Sequence, residues 1–171
     1  LEQIEEGHKL ARSAEMCGDE LDGLLEIAYR CAARVRKETE IGRGPVSIAA
    51  AAQQVARDLH GDLARASGLL IGAGEMGELI AEALLAAGLG DLVVTHPTAA
   101  RADAIGRKLN CHVAEMSDLP QLLEHADVAL TSMNARRYVL DQAAMEAAIK
   151  ARRHKPVLLI DTGIPGDVEP S

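Results

Sequence analysis

Beyond residue 67 the chain alternates short apolar runs with stretches of helical spacing, and few folds accommodate that order. The runs fall at 69–71, 91–95, 112–114, 128–131 and 157–160; the helical stretches between them fall at 75–87, 99–109, 119–125 and 141–152. Short apolar strands that alternate with helices build βαβ units, whose strands lie parallel and are covered on both faces. Such crossovers are right-handed, so the expected fold class is α/β with a doubly wound parallel sheet.

The residues before that series read differently. Ile4, Leu10, Leu21, Leu24, Leu25, Ala28, Ala32 and Val35 recur at helical steps. Gly18 breaks the run, and Asp19 is placed to cap the second helix. No strand pattern lies near these residues, so they read as the tail of a preceding domain. The segment ETEIGRGPV, 38–46, carries Gly42, Gly44 and Pro45 and is the expected linker. An Ala-rich helix comes next, with Ser47 as its N-cap. The expected division is 1–44, helical tail and linker, and 45–171, the sheet domain. The chain starts inside a helical pattern without a Met, which reads as part of something longer.

Composition narrows the function. The chain is 48% hydrophobic, but Tyr29 and Tyr138 are its only aromatic residues. The core must be aliphatic, and no platform exists for stacking single-stranded bases. A net charge of −8 argues against a broad phosphate-binding surface. The basic runs RVRK (34–37) and KARRHK (150–155) read as solvated helix ends, where cations are favoured; a tRNA-contacting patch is the alternative. Cys17, Cys31 and Cys111 form no CxxC pair, and no HxH or HExxH spacing occurs, so no metal site is indicated. Unpatterned cysteines in an acidic chain point to a reducing, cytoplasmic setting. Cys31 and Cys111 both read as core thiols. No apolar run approaches the ~20 residues of a membrane span.

The loop after the first strand carries Gly72, Ala73, Gly74, Glu75, Met76 and Gly77, a GxGxxG spacing between strand and helix. Gly72 suits the tight turn, Gly74 leaves room for a pyrophosphate, and Gly77 lets helix and strand pack closely. The free N–H groups of the helix start favour an anion. The domain is thus expected to be Rossmann-type and to bind a dinucleotide. An acidic residue at the end of the second strand would select NAD, but Thr95, His96 and Pro97 stand there. NADP is therefore preferred, with His96 and Arg101 facing the 2′-phosphate. The fourth strand ends in Thr131, Ser132, Met133 and Asn134 and the fifth in Asp161, and both ends border the nicotinamide position. Ser132 and Met133 complete the expected cofactor set, although Met133 also reads as packing and Asp161 as structural. No nucleophile–base pair is visible.

Three blocks together resemble glutamyl-tRNA reductase: ARVRKETEIGRGPVSIAAAA (33–52), IGAGEMGELIAEAL (71–84) and AAIKARRHKPVLLIDTGIPGDVEP (147–170). The GEMGEL continuation is far more specific than the glycines alone. The start, LEQIEEGHKLA, is similar to the close of that family's substrate loop and places Gln3 where the family contacts substrate, although Glu2 departs from its Gly. The resemblance implies NADPH-dependent reduction of glutamyl-tRNA to glutamate-1-semialdehyde in porphyrin synthesis. It puts the catalytic Cys upstream, outside this chain, and a dimerisation domain downstream, so no catalytic residue is assigned here and this part is expected to be inactive alone. It also implies a homodimer and an aminomutase that takes the aldehyde. The chain departs from the family at Thr95-His96-Pro97, where an Arg-containing motif is usual, at TSMN (131–134), and at Gly166, where Arg is common. Two other readings stay open: an NADP enzyme of shikimate dehydrogenase type, and a non-catalytic module.

Overall fold

The structure is a computed structural model that describes residues 2–39, 41, 47–133, 135 and 137–170. It divides into two compact units, Leu1–Gly44 and Pro45–Ser171. Most of the expected linker, and Asn134, lie outside the described residues.

The first unit contains α1 (Glu2–Ser13) and α2 (Asp19–Glu38). The turn between them is closed by backbone bonds from Ala14, Glu15 and Met16 to carbonyls of the last turn of α1. Gly18, not Asp19, occupies the N-cap of α2, and no side chain bonds that end. Asp19, Glu20 and Asp22 fall within the first turn instead, where acidic residues favour the helix dipole. His8 is the one buried residue among the described residues of this unit. Cys31, expected in a core, is exposed, because no residue of α2 is buried.

The second unit is the expected doubly wound sheet. It contains α3 (Ile48–His60), β1 (Ser67–Gly72), α4 (Glu75–Ala86), β2 (Asp91–Thr95), α5 (Ala99–Leu109), β3 (His112–Ala114), α6 (Leu119–His125), β4 (Val128–Ser132), α7 (Gln142–Ala151) and β5 (Leu158–Asp161). All strand pairs are parallel, in the order β3-β2-β1-β4-β5. Ser47 caps α3 as expected, accepting from the Ala50 N–H at 3.1 Å.

Strand alternation sorts the core into two layers. Leu70, Val94, Val128 and Leu130 face one way, onto Ala52 and Ala56 of α3, Ile80 and Leu84 of α4, and Ile105 of α5. Leu69, Ile71 and Ala129 face the other way, onto Leu123 of α6 and Ala148 of α7. No helix among the described residues is long and apolar enough to cross a membrane.

The basic run near the C-terminus is not a solvated helix end throughout. Arg152 is 5% exposed. Its guanidinium donates to Glu124 O (3.1 Å), Leu123 O (3.5 Å), Lys155 O (3.3 Å), Pro156 O (3.0 Å) and Asp127 Oδ1 (3.1 Å). Asp127 also accepts from the Ser67 N–H through Oδ2 at 3.1 Å. One buried cation therefore joins the ends of α6 and α7 to the starts of β1 and β4.

Candidate functional site

Register sets the site. Ala114, Thr95, Ile71, Thr131 and Asp161 form one row across all five strands. Beyond that row, at the C-terminal edge, Gly72 pairs with Ser132. This edge, where the strand order reverses between β1 and β4, is the place where open α/β sheets take ligands.

The glycine loop is built against the end of β4. Gly72 has φ of 114°, a region that side-chain-bearing residues avoid. A Cβ there would strike the Ser132 carbonyl and lie 2.9 Å from Met133 N. A Cβ on Gly74 would run into Ser132 Oγ, and one on Gly77 would lie 2.5 Å from Ser132 Cβ and 3.0 Å from Leu70 Cδ1. The first role of the missing Gly74 side chain is therefore to admit Ser132. Gly74 N–H donates to Ser132 O (3.0 Å), and Gly77 N–H donates to Ser132 Oγ (3.2 Å). Ser132 thus caps α4 from across the sheet, since Gly74, the N-cap, has no side chain to do so. The Glu75 and Met76 N–H groups, in the first turn, have no intrahelical partner and point out of the helix start. Gly74, Glu75, Met76, Leu79, Ser132 and Thr162 line a cleft of about 280 Å³ there. Ala73, between the glycines, packs on the core, and Met133 packs on the α6–α7 side.

The loops beyond β4 and β5 are tied by two carboxylates. Asp161 accepts from the Thr131 hydroxyl (2.9 Å) and from the N–H groups of Gly163 (2.8 Å), Asp167 (2.9 Å) and Val168 (3.1 Å). Buried Asp167 accepts from the Met133 N–H at 2.6 Å. The structural reading of Asp161 holds. Desolvation alone would raise its pKa, but the backbone donors and Thr131 outweigh it and hold the carboxyl below its ordinary value. A depressed pKa gives stability that is present above the unfolded-state value and lost as the pH falls through the folded one. Asp161→Asn should therefore destabilise the protein at pH 7, and the gap from wild type should close as the pH drops below about 4. Urea titrations across that range check this; a gap independent of pH would refute it.

At the end of β2, Thr95 is fully buried, with its hydroxyl 3.8 Å from Met116 Sδ. His96 is half-buried and Pro97 exposed. The Thr98 N–H donates to His96 Nδ1 at 2.8 Å, so the neutral ring carries its proton on Nε2. Burial, and then the charge of Arg101, push the imidazole below its ordinary pKa. His96, Pro97, Asp103, Glu115 and Met116 border a cleft of about 430 Å³. Nothing in the sequence singles out the two carboxylates of this cleft, because β3 and the turn after it meet α5 only in the fold. Arg101 lies exposed in the first turn of α5. Gln3 lies exposed on α1, in the other unit. Cys111 is half-buried, and burial followed by Asp91 pushes its thiol up, away from the thiolate.

A nucleotide-type sheet with a glycine loop capped from β4 defines the class. A family model described as shikimate / quinate 5-dehydrogenase matches residues 54–171, and the chain belongs to that family. Within it the resemblance to glutamyl-tRNA reductase is borne out. The chain is 46% identical, over all 171 residues, to the glutamyl-tRNA reductase of Rhodospirillum rubrum and spans 40% of that protein's length. Among solved structures it is similar to glutamyl-tRNA reductase from Methanopyrus kandleri, with a TM-score of 0.71 and 30% identity over 98% of this chain and 42% of that one. The nucleotide binding domain of glutamyl-tRNA reductase from Thermoplasma volcanium shares the fold, with a TM-score of 0.61 and 20% identity over 75% of this chain and 83% of that one.

Proposed function

We propose that this chain is the nucleotide-binding part of a glutamyl-tRNA reductase, which serves NADPH-dependent reduction of glutamyl-tRNA to glutamate-1-semialdehyde. The supporting observation is the extent of the likeness. It runs through residues 1–53, which the shikimate / quinate family match leaves out, and so favours the reductase over a dehydrogenase of shikimate type. The site chemistry agrees. Two outward N–H groups at the start of α4, beside a cleft walled by Gly74, Ser132 and Thr162, suit a pyrophosphate.

Bound there, the cofactor would supply a hydride to an acyl group held by a Cys outside this chain. The residues here bind and orient it: Gly72, Ala73, Gly74 and Gly77 shape the loop, Glu75 and Met76 offer N–H groups, and Ser132 and Met133 wall the nicotinamide side. Thr95, His96, Pro97 and Arg101 frame the adenosine end, with His96 Nε2–H and the Arg101 guanidinium as donors to a 2′-phosphate. Gln3 belongs to the substrate side. Glutamyl-tRNA, an aminomutase that accepts the aldehyde, and a second copy joined through a further domain complete the proposed partners. The fragment is inactive by itself, and it works in the cytoplasm.

Calorimetric titration with NADPH and NADH tests the reading. NADPH should bind more tightly, and Arg101→Ala should weaken NADPH by about tenfold, the scale of one charged hydrogen bond, with little effect on NADH. His96→Ala should act in the same direction. Equal losses for both cofactors would show that neither residue reads the 2′-phosphate, and no heat from either at millimolar concentration would sink the dinucleotide site. A second reading, a module that no longer takes a nucleotide, draws on Asp103 and Glu115, which bring negative charge to the cleft beside His96. The same null titration would establish it.

A further inference from the structure

A second cluster of reactive side chains lies in the helical unit. His8 comes from α1, Cys17 from the turn, and Asp22 from the first turn of α2. An imidazole nitrogen, a thiol sulfur and a carboxylate oxygen, one from each, all lie within 4.8 Å of one another. His8 is buried, and Cys17 and Asp22 are half-buried. His8 Nε2 and Asp22 Oδ1 are 2.6 Å apart. Arg12 Nε lies 3.5 Å from the other oxygen, Oδ2.

The far side of the imidazole is also held. His8 Nδ1 lies 3.2 Å from the Tyr29 hydroxyl, which donates to Ile4 O at 3.4 Å. Nε2 donates to Asp22 Oδ1 in the 2.6 Å contact. With its own proton on Ile4, the Tyr29 oxygen can accept from Nδ1–H once a metal takes the place of the Nε2 proton, and the ring is held with Nε2 towards Cys17 and Asp22. Histidines that bind metals are oriented from behind in this way. Thiol catalysis does not fit the cluster. Asp22 already occupies His8 Nε2 at 2.6 Å, so the imidazole does not take the thiol proton. A His–Asp pair that merely fastened two helices would need neither a thiol beside it nor a ring fixed from behind.

We propose that His8, Cys17 and Asp22 form a mononuclear site for a borderline divalent transition-metal ion, matched best by Zn²⁺. One N, one S and one O donor, with water as the fourth ligand, is a set that zinc accepts in tetrahedral geometry. As the metal–sulfur bond forms, the Cys17 thiol proton leaves to solvent. Metal binding also displaces the Nε2 proton held between His8 and Asp22. That proton passes to solvent as Nδ1 takes one up, so the neutral ring keeps a single proton on Nδ1, where the Tyr29 oxygen accepts it. The Nε2–Oδ1 contact must open from 2.6 Å to about 3.3 Å, the edge of a tetrahedron with ~2.0 Å bonds. Arg12 opposes binding, because its charge competes for Asp22.

Titration of the full chain with Co²⁺, a spectroscopic stand-in for Zn²⁺, tests the site. One equivalent should raise a thiolate-to-cobalt charge-transfer band, and one equivalent of Zn²⁺ should bleach it. Cys17→Ser, in the turn between the helices, should abolish the band and leave the helical circular dichroism unchanged. Tyr29→Phe should weaken Zn²⁺ binding by about tenfold, and Arg12→Ala should tighten it. Absence of the band in the wild type, or a band that survives Cys17→Ser and so arises from Cys31 or Cys111, overturns the proposal. Unchanged affinity in Tyr29→Phe overturns His8 as an oriented ligand.

Discussion

Replacing Arg152 with alanine should cost about 3 kcal/mol of stability, at the lower end of what removal of one partner from a buried ion pair costs. The reason lies in what is left behind. The Arg152 side chain is 2% exposed and its partner Asp127 is 27% exposed, so water reaches Asp127 and limits the loss. Among the backbone acceptors, the bond to Leu123 O is buried and those to Glu124, Lys155 and Pro156 are part-buried, and each group left without a partner carries a penalty that grows with its burial. The elements released are structural: α6 and α7 would lose their tie to the start of β4, and Asp127 would be left with Ser67 alone. Urea denaturation should show the midpoint falling by about 1–2 M. Arg152→Lys should recover less than half of the loss, because an ammonium is a point charge and cannot reach acceptors spread around a planar fork. A loss under about 1 kcal/mol for alanine would place Arg152 at the level of an exposed ion pair and refute the burial argument.

Arg152 also shows where reading the sequence stops. The alternation of strand and helix was legible, and β2, α5, β3 and α6 fall on the stretches expected from it. Their ends are marked locally, by apolar runs and turn residues. β1 runs longer, Ser67–Gly72, because its ladder partners on β2 and β4 continue past the apolar run. KARRHK, by contrast, reads as a single charged stretch, yet only Arg152 is buried within it. One signal was present: Arg152 lies four residues after buried Ala148 and so shares its helix face. Arg153 and His154 then take positive φ and turn the chain away. Ser132 left no such trace. Its bond to Gly77 spans 55 residues, and nothing in TSMN announces a helix cap. The carboxylates beside His96 and the cluster of His8, Cys17 and Asp22 were hidden for the same reason, since each is assembled only when separate elements meet. Local pattern thus specified the fold and the glycine loop, and tertiary contact decided what the loop leans on.

That dependence can be measured at the loop itself, because its glycines meet different parts of the same residue. A Cβ on Gly77 meets the Ser132 side chain, at 2.5 Å from Cβ and 2.9 Å from Oγ. A Cβ on Gly72 meets the Ser132 carbonyl and Met133 N, which are backbone. Gly77→Ala should cost about 1–3 kcal/mol, as overpacking does, offset by no more than the ~1 kcal/mol that alanine gains over glycine in a helix. Ser132→Gly removes the obstructing atoms and also the cap that Gly77 N–H uses. Each single variant should therefore be destabilised, and the double variant should be less so than their sum, by at least about 1 kcal/mol of coupling. Gly72→Ala should behave otherwise. Its φ of 114° disfavours alanine whatever the space, and removing the Ser132 side chain leaves the carbonyl in place. Its loss should add to that of Ser132→Gly, and nucleotide binding should vanish in both Gly72→Ala backgrounds. Coupling for Gly77 with additivity for Gly72 would show that the loop is shaped by the end of β4. Additivity for both would mean that Ser132 is only a neighbour of the loop.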